Sequence, residues 1–290
     1  MDDFRGTGSV RLPTDTQTID RYGVMGYPVS HSRSPVIHRL FAMQTGEDIQ
    51  YDLLQVEPDN LEKAVRNFQR SGGKGLNVTT PHKNEVVRLC DHLSERAATA
   101  GAVNTLTFRD YEIHGENTDG VGLLRDLTVN LELTLLGSQI LVLGAGGATQ
   151  GILGPLLEMR PGLVVIANRT VGKADAIVQH FSEFGLVVGC GFDDVPTDTP
   201  YDLVINATSA ALKGEAPPYP AAAISPKTVC YDMSYGLTPT PFSVWAREQG
   251  AARSLMGWGM LVEQAAESFH IWRGKRPQTG PVLEQMQITA

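Results

Sequence analysis

Short, wholly apolar runs alternate along this chain with segments whose apolar residues recur at helical spacing. The first pattern belongs to strands buried on both faces, the second to helices with one buried stripe. A strand is predicted over 22–25. Ser34-Pro35 then opens a helix carrying Val36, Ile37, Leu40 and Phe41, with proline where its missing N–H costs nothing. The pattern continues with a strand over 51–56, a helix over 60–70 and a strand over 75–78. Thr80-Pro81 predicts a cap and first residue of another helix. A helix over 94–100 follows, then a strand pair over 102–108 and 111–114. A helix over 121–131 leads into a second alternating stretch, with strands within 140–167 and over 187–188, 203–205 and 229–233. A long helix over 260–272 reads as a return to the first half.

Such alternation predicts an α/β protein with parallel sheets and right-handed crossovers. At 290 residues the chain is long enough for two modest cores. The expected organisation is two open αβα domains with a cleft between them. Residues 20–120, completed by 255–290, form the first, and 121–254 the second. Hinges are expected where the chain crosses, at 119–131 and 251–257. Residues 1–19, rich in Asp, Thr, Gly and Arg, read as a disordered leader.

Composition narrows the classes of partner. There are 24 Lys and Arg against 32 Asp and Glu, so the net charge is 24 − 32 = −8, without long runs of one sign. That balance argues against nonspecific nucleic-acid binding, which needs clustered cations. Cys90, Cys190 and Cys230 are scattered and show no CxxC spacing. They fit reduced thiols in a cytoplasmic protein. No apolar run approaches the ~20 residues of a membrane span, and the start lacks the form of a signal peptide. The seven histidines show neither HxxxH nor a zinc-type pairing with cysteine, so no metal is expected.

The densest chemistry lies between Ile140 and Thr170. The apolar run Ile140-Leu141-Val142-Leu143 meets Gly144-Ala145-Gly146-Gly147-Ala148-Thr149, and Ile152, Leu153, Leu156 and Leu157 follow at helical spacing. Glycines there let the backbone approach a pyrophosphate, while the N–H groups opening the helix face the anion. A tight turn in an α/β domain that binds no nucleotide is the plain alternative. About 20 residues on, where NAD-binding folds carry an acidic residue, stands Asn168-Arg169-Thr170. A cation there suits the 2′-phosphate of NADP.

Three further clusters are polar. Asn77-Val78-Thr79-Thr80-Pro81-His82-Lys83 sits at a strand's C-terminal end, where open α/β sheets bind ligands. A lysine on the first turn of a helix opposes the macrodipole, which suggests service to a ligand. Asn117-Thr118-Asp119-Gly120 offers a carboxylate that reads equally as a helix cap. Asn104, in Gly101-Ala102-Val103-Asn104-Thr105, has a plain strand reading. In Ser30-His31-Ser32-Arg33-Ser34-Pro35, Ser34 fits a cap, and the run of hydroxyls fits a polyhydroxylated ligand.

Taken in order, these segments resemble the shikimate dehydrogenase family from about Tyr22 to the C-terminus. Tyr27-Pro28-Val29-Ser30, Asn206-Ala207-Thr208-Ser209 and Gly257-Trp258-Gly259-Met260 share in the resemblance. It implies an N-terminal substrate domain, a Rossmann-like NADP-binding domain, and reversible NADPH-dependent reduction of 3-dehydroshikimate to shikimate. Lys83 and Asp119 match the family's catalytic pair. Ser32, Ser34, Asn77, Thr79, Asn104, Tyr235 and Gln264 match substrate contacts. Gly144, Ala145, Gly146, Gly147, Ala148, Asn168, Arg169, Thr170, Lys173, Thr208, Met233 and Gly257 match the cofactor site. The resemblance implies a monomer or homodimer acting on a small molecule.

Thr80, His82 and Met256 depart from the commonest family residues, as does Ala210-Ala211, and these bear on substrate identity. His82 reads as a helix-surface residue. A quinate- or aminoshikimate-preferring paralogue is the alternative, and a noncatalytic sensor is a third reading that retention of Lys83 and Asp119 disfavours.

Overall fold

The computed structural model describes residues 19–198, 200–208 and 219–288. The leader before Ile19, Ser209 and Ala210-Ala211 lie outside them. Two six-stranded sheets form the frame. The first has the order β2-β1-β3-β5-β6-β4, from β1 (Asp20–Gly26), β2 (Ile49–Gln55), β3 (Gly73–Val78), β4 (His92–Leu93), β5 (Thr105–Arg109) and β6 (Glu112–Glu116). The second has the order β12-β11-β10-β7-β8-β9, from β7 (Gln139–Leu143), β8 (Leu163–Ala167), β9 (Val187–Cys190), β10 (Leu203–Asn206), β11 (Val229–Asp232) and β12 (Arg253–Met256).

Every pairing in the second sheet is parallel. Read from β9, its order is the dinucleotide-binding 3-2-1-4-5-6, which reverses between β7 and β10. Its four central strands, β7, β8, β10 and β11, are almost wholly buried because both faces are covered. Ile140, Val142, Val164 and Ile166 pack toward α4 (Asp119–Arg125), α5 (Gly147–Glu158) and α6 (Val171–Phe181). Leu141, Leu143, Val165 and Ala167 pack toward α7 (Pro241–Glu248) on the other face. Each Val, Leu or Ile among them contributes ~1.5–3 kcal/mol over leaving it in water.

The first sheet is mixed, its parallel strands joined by the strand pair expected over 102–114. β5 runs antiparallel to both β3 and β6. Asp110 and Tyr111, both at positive φ, join β5 to β6 in two residues. A connection that short makes a hairpin and cannot carry a crossover. One face packs on α2 (Leu61–Arg70) and α3 (Glu95–Ala100). The other meets α1 (Ser34–Thr45), α8 (Trp258–Arg273) and α9 (Gly280–Ile288) through Ile37, Phe41, Val262, Phe269 and Val282. The C-terminal helices thus pack on the first sheet. β12, which periodicity does not reveal, keeps Leu255 and Met256 in the second sheet, so the crossing follows Met256.

No α-helix opens at Thr80-Pro81. The segment turns, and only a 3-10 helix over Glu85–Leu89 follows. The carbonyl of Lys83 accepts the N–H of Val103 from across the sheet, so no helical amide takes it. Lys83 therefore sits on a turn, and the macrodipole argument for it fails.

Candidate active site

The C-terminal ends of β3, β7, β10 and β11 converge on one cleft. It is lined by Ser32, Ser34, Asn77, Thr79, Lys83, Asn104, Asp119 and Gln264 from the first half and the crossing segments, and by Tyr235 from the loop after β11. Ala148, Thr208, Met233 and Gly257 line its other end. At the centre, Lys83 Nζ donates to Asp119 Oδ2 at 2.6 Å. The lysine side chain is 16% exposed and the aspartate 5%, so the ammonium faces the cleft while the carboxylate stays covered. Asp119 Oδ1 accepts from Asn104 Nδ2 at 3.0 Å. Thr118 takes the cap position of α4, and Asp119, one residue inside, is free to hold Lys83.

Asn104 is more than a strand residue. Its Oδ1 accepts from Thr118 N and from Thr105 Oγ1 at 2.8 and 2.9 Å. Asn77 Nδ2 donates toward Thr105 Oγ1 and Ser268 Oγ, while Tyr51 donates to Asn77 Oδ1 at 2.7 Å. This network fixes two amides with their lone pairs and protons assigned. Tyr51 and Ser268 lie in no motif, and Thr105 and Thr118 stand within the Asn104 and Asp119 segments without a role of their own. The one available signal is that Ser268 follows Gln264 by one helical turn on α8.

Ser34 is not a cap: Arg33 takes that position, with no side-chain cap bond. Ser32 Oγ accepts from Ser34 N at 3.3 Å and donates to Ser34 Oγ at 3.2 Å. Burial pushes the Tyr235 hydroxyl up, against the opposing pull of the Arg33 backbone and Ser32 beside it. Two hydroxyls and a phenol thus stand together at the N-terminus of α1, an arrangement that suits an anion.

His82 is fully buried, not on a helix surface. Its Nε2 donates to the Val56 carbonyl at 2.7 Å, and burial lowers its pKa, so it stays a neutral strut behind Lys83.

The opposite wall is built by Asp232. Burial raises its pKa, and it accepts from Thr240 Oγ1, Ser234 N and Asn206 Nδ2. Asn206 Oδ1 in turn accepts from Thr208 Oγ1 at 2.7 Å. These bonds hold the loops carrying Met233, Tyr235 and Thr208. A Cβ on Gly257 would stand 2.6 Å from the Met233 carbonyl, so only glycine lets these two backbones approach.

The glycine turn suits a dinucleotide. Gly144 has φ +107° and packs on the Ala207 backbone, a conformation other residues rarely adopt. Thr149, in place of a third glycine, is buried and donates to the Gly144 carbonyl at 2.8 Å, tying the turn to its helix. α5 begins at Gly147 with no side-chain cap, leaving its first N–H groups for an anion. Ala145 and Gly146 complete that turn. Asn168, Arg169 and Thr170 follow β8, which pairs with β7 beside the turn, and Lys173 lies on the first turn of α6. Among the described residues Arg169 and Lys173 form no ion pair, so both cations are open to a phosphate. The residues present fit NADP.

Comparison with known proteins then decides the family. The shikimate dehydrogenase substrate binding domain matches residues 24–106, shikimate / quinate 5-dehydrogenase matches 128–213, and the shikimate 5'-dehydrogenase C-terminal domain matches 257–287. Shikimate dehydrogenase (NADP(+)) from Alkalilimnicola ehrlichii is 53% identical over 92% of this chain and 98% of its own. The chain belongs to the shikimate dehydrogenase family. Among solved structures, an Ael1 enzyme from Pseudomonas putida is 44% identical with TM-score 0.84, covering 92% of this chain and 97% of its own. Shikimate 5-dehydrogenase from Thermus thermophilus, solved with NADP(H) and shikimate, is 30% identical with TM-score 0.81, covering 94% and 100%.

Proposed function

We propose that the cleft reduces 3-dehydroshikimate to shikimate reversibly with NADPH, within the shikimate pathway, and that Lys83 and Asp119 carry the reaction. The observation that bears most weight is their 2.6 Å pair in a cleft whose far wall is the backbone at Met233 and Gly257. NADPH, held by the Gly144–Ala148 turn and the Asn168, Arg169, Thr170 and Lys173 cluster, supplies the hydride. The Lys83 ammonium stabilises charge developing on the ketone oxygen and delivers its proton to it. Asp119 aims the lysine and accepts from a substrate hydroxyl. Ser32, Ser34 and Tyr235 hold the carboxylate, while Asn77, Thr79, Asn104 and Gln264 fix the ring hydroxyls. Orientation matters because the reacting atoms must come within roughly 3–3.5 Å.

Residues 20–120 with the returning C-terminal helices form the substrate half, and 121–256 the NADP half. The chain acts as a monomer or homodimer on a small molecule, without nucleic acid or membrane. Its three free cysteines fit the cytoplasm. No helix among the described residues is long and apolar enough to cross a membrane. The deciding assay follows nicotinamide absorbance with shikimate and quinate in parallel, each with NADP and NAD. Shikimate with NADP is the fastest combination; a higher kcat/KM for quinate overturns the substrate assignment.

A further inference from the structure

The outer edge of the first sheet carries a cluster that the reaction does not use. β4 is two residues long, and its parallel pairing with β6 sets His92 beside His114. Glu112 lies two positions before His114, hence on the same face of β6. The imidazoles stack with centroids 4.8 Å apart and planes 26° from parallel. Both present Nε2 to one oxygen of Glu112, at 3.2 and 3.6 Å. One ligand atom from each residue lies within 4.8 Å of the other two. Arg109, opposite Glu112 in the hairpin register, forms no ion pair with it among the described residues.

We propose that His92, Glu112 and His114 form a binding site for a divalent transition-metal ion of the zinc type. Two imidazoles and a carboxylate are the donor set zinc accepts, with water completing a tetrahedron. Imidazole disfavours magnesium and calcium, which take oxygen ligands. Zinc needs its ligands at about 2.0–2.2 Å. The three side chains are 57%, 52% and 36% exposed, so they close on an ion by rotation without moving the strands.

The ion ties the edge strand down. β4 is otherwise flanked by two backbone bonds to β6, Asp91 N to Ile113 O and Ser94 N to Gly115 O. Ser94 caps α3, and α3 packs on α5 of the dinucleotide half. None of the three ligands lines the cleft, so the ion stabilises the fold without entering the reaction. Cys90 is the nearby competitor, with its sulfur against Gly115 on the opposite face of β6.

The test is calorimetric titration of the full chain with zinc chloride, alongside H92A, H114A, E112Q and C90S. The site predicts one saturable ion per chain in the parent and in C90S. Affinity falls about tenfold or more in each histidine variant. Zinc raises Tm only where the triad is intact. All variants keep the parent's kcat with shikimate without added zinc, which also shows that they fold. Absence of saturable binding in the parent, equal binding in H92A and H114A, or loss of binding in C90S overturns the site. The binding readout is independent of the assignment of the reaction.

Discussion

Asp119 divides its two carboxylate oxygens between partners, Oδ2 accepting from Lys83 at 2.6 Å and Oδ1 from Asn104 at 3.0 Å. The carboxylate is thus aimed from one side by a fixed amide while it aims the ammonium on the other. Lys83→Ala removes the proposed proton donor and leaves the Asn77 and Asn104 amides in place. We expect kcat to fall by roughly 10²–10⁴-fold with a small change in KM for shikimate. Steady-state kinetics check this, and an unchanged kcat with only a raised KM contradicts the role.

The neighbour of Lys83 reaches across the cleft. Asn84 Nδ2 donates to Gln150 Oε1 at 2.7 Å and to the Gly101 carbonyl at 3.0 Å, joining the Lys83 turn to the first turns of α5. Asn84→Ala and Gln150→Ala should each lower kcat/KM for NADP, with a coupling of about 0.5–1.5 kcal/mol. A double-mutant cycle measures it. Strictly additive losses would show that the pair does not communicate.

Arg169 selects the cofactor if its open guanidinium meets the 2′-phosphate. Arg169→Asp should reduce the NADP-over-NAD preference by roughly tenfold or more, the value of one charge-assisted contact. Comparing kcat/KM for the two cofactors decides it, and undiminished NADP use removes the selector.

His38 makes stability depend on pH. Its ring is buried and stacked 4.2 Å from Tyr51, and burial holds its pKa down at about 3. The unfolded chain titrates it near its ordinary 6.5. Below that value the unfolded state binds a proton the folded state refuses, so stability falls as pH drops from 6.5 toward 3. The loss between pH 7 and pH 5 is about 2 kcal/mol from this residue. Urea unfolding of the parent and His38→Gln at both pH values tests it; equal pH dependence in the two proteins excludes His38 as the source.

The second sheet is easy to read because β7, the glycine turn and α5 are local: strand, turn and helix follow within one stretch, and parallel burial makes the strands apolar throughout. Lys83 and Asp119 are legible as residue types at junctions. Their supports are not. A helix at Thr80 is the natural reading of Thr-Pro, but the Lys83 carbonyl is claimed by Val103, which only the fold brings near. His82 looks superficial because nothing in sequence announces the Val56 carbonyl that receives its proton. His92 and His114, 22 positions apart (114 − 92), acquire a shared carboxylate only through strand pairing. Ser268 lies far along the chain from Asn77 and joins it only after α8 folds back.

That last arrangement sets an order of events during synthesis. A ribosome that has released the chain through Asp119 has already delivered Lys83 and its carboxylate partner, yet the hydroxyl securing Asn77 is still to be made. The nascent protein therefore gains its dinucleotide half before the substrate wall is finished, and catalytic competence arrives with the final helices.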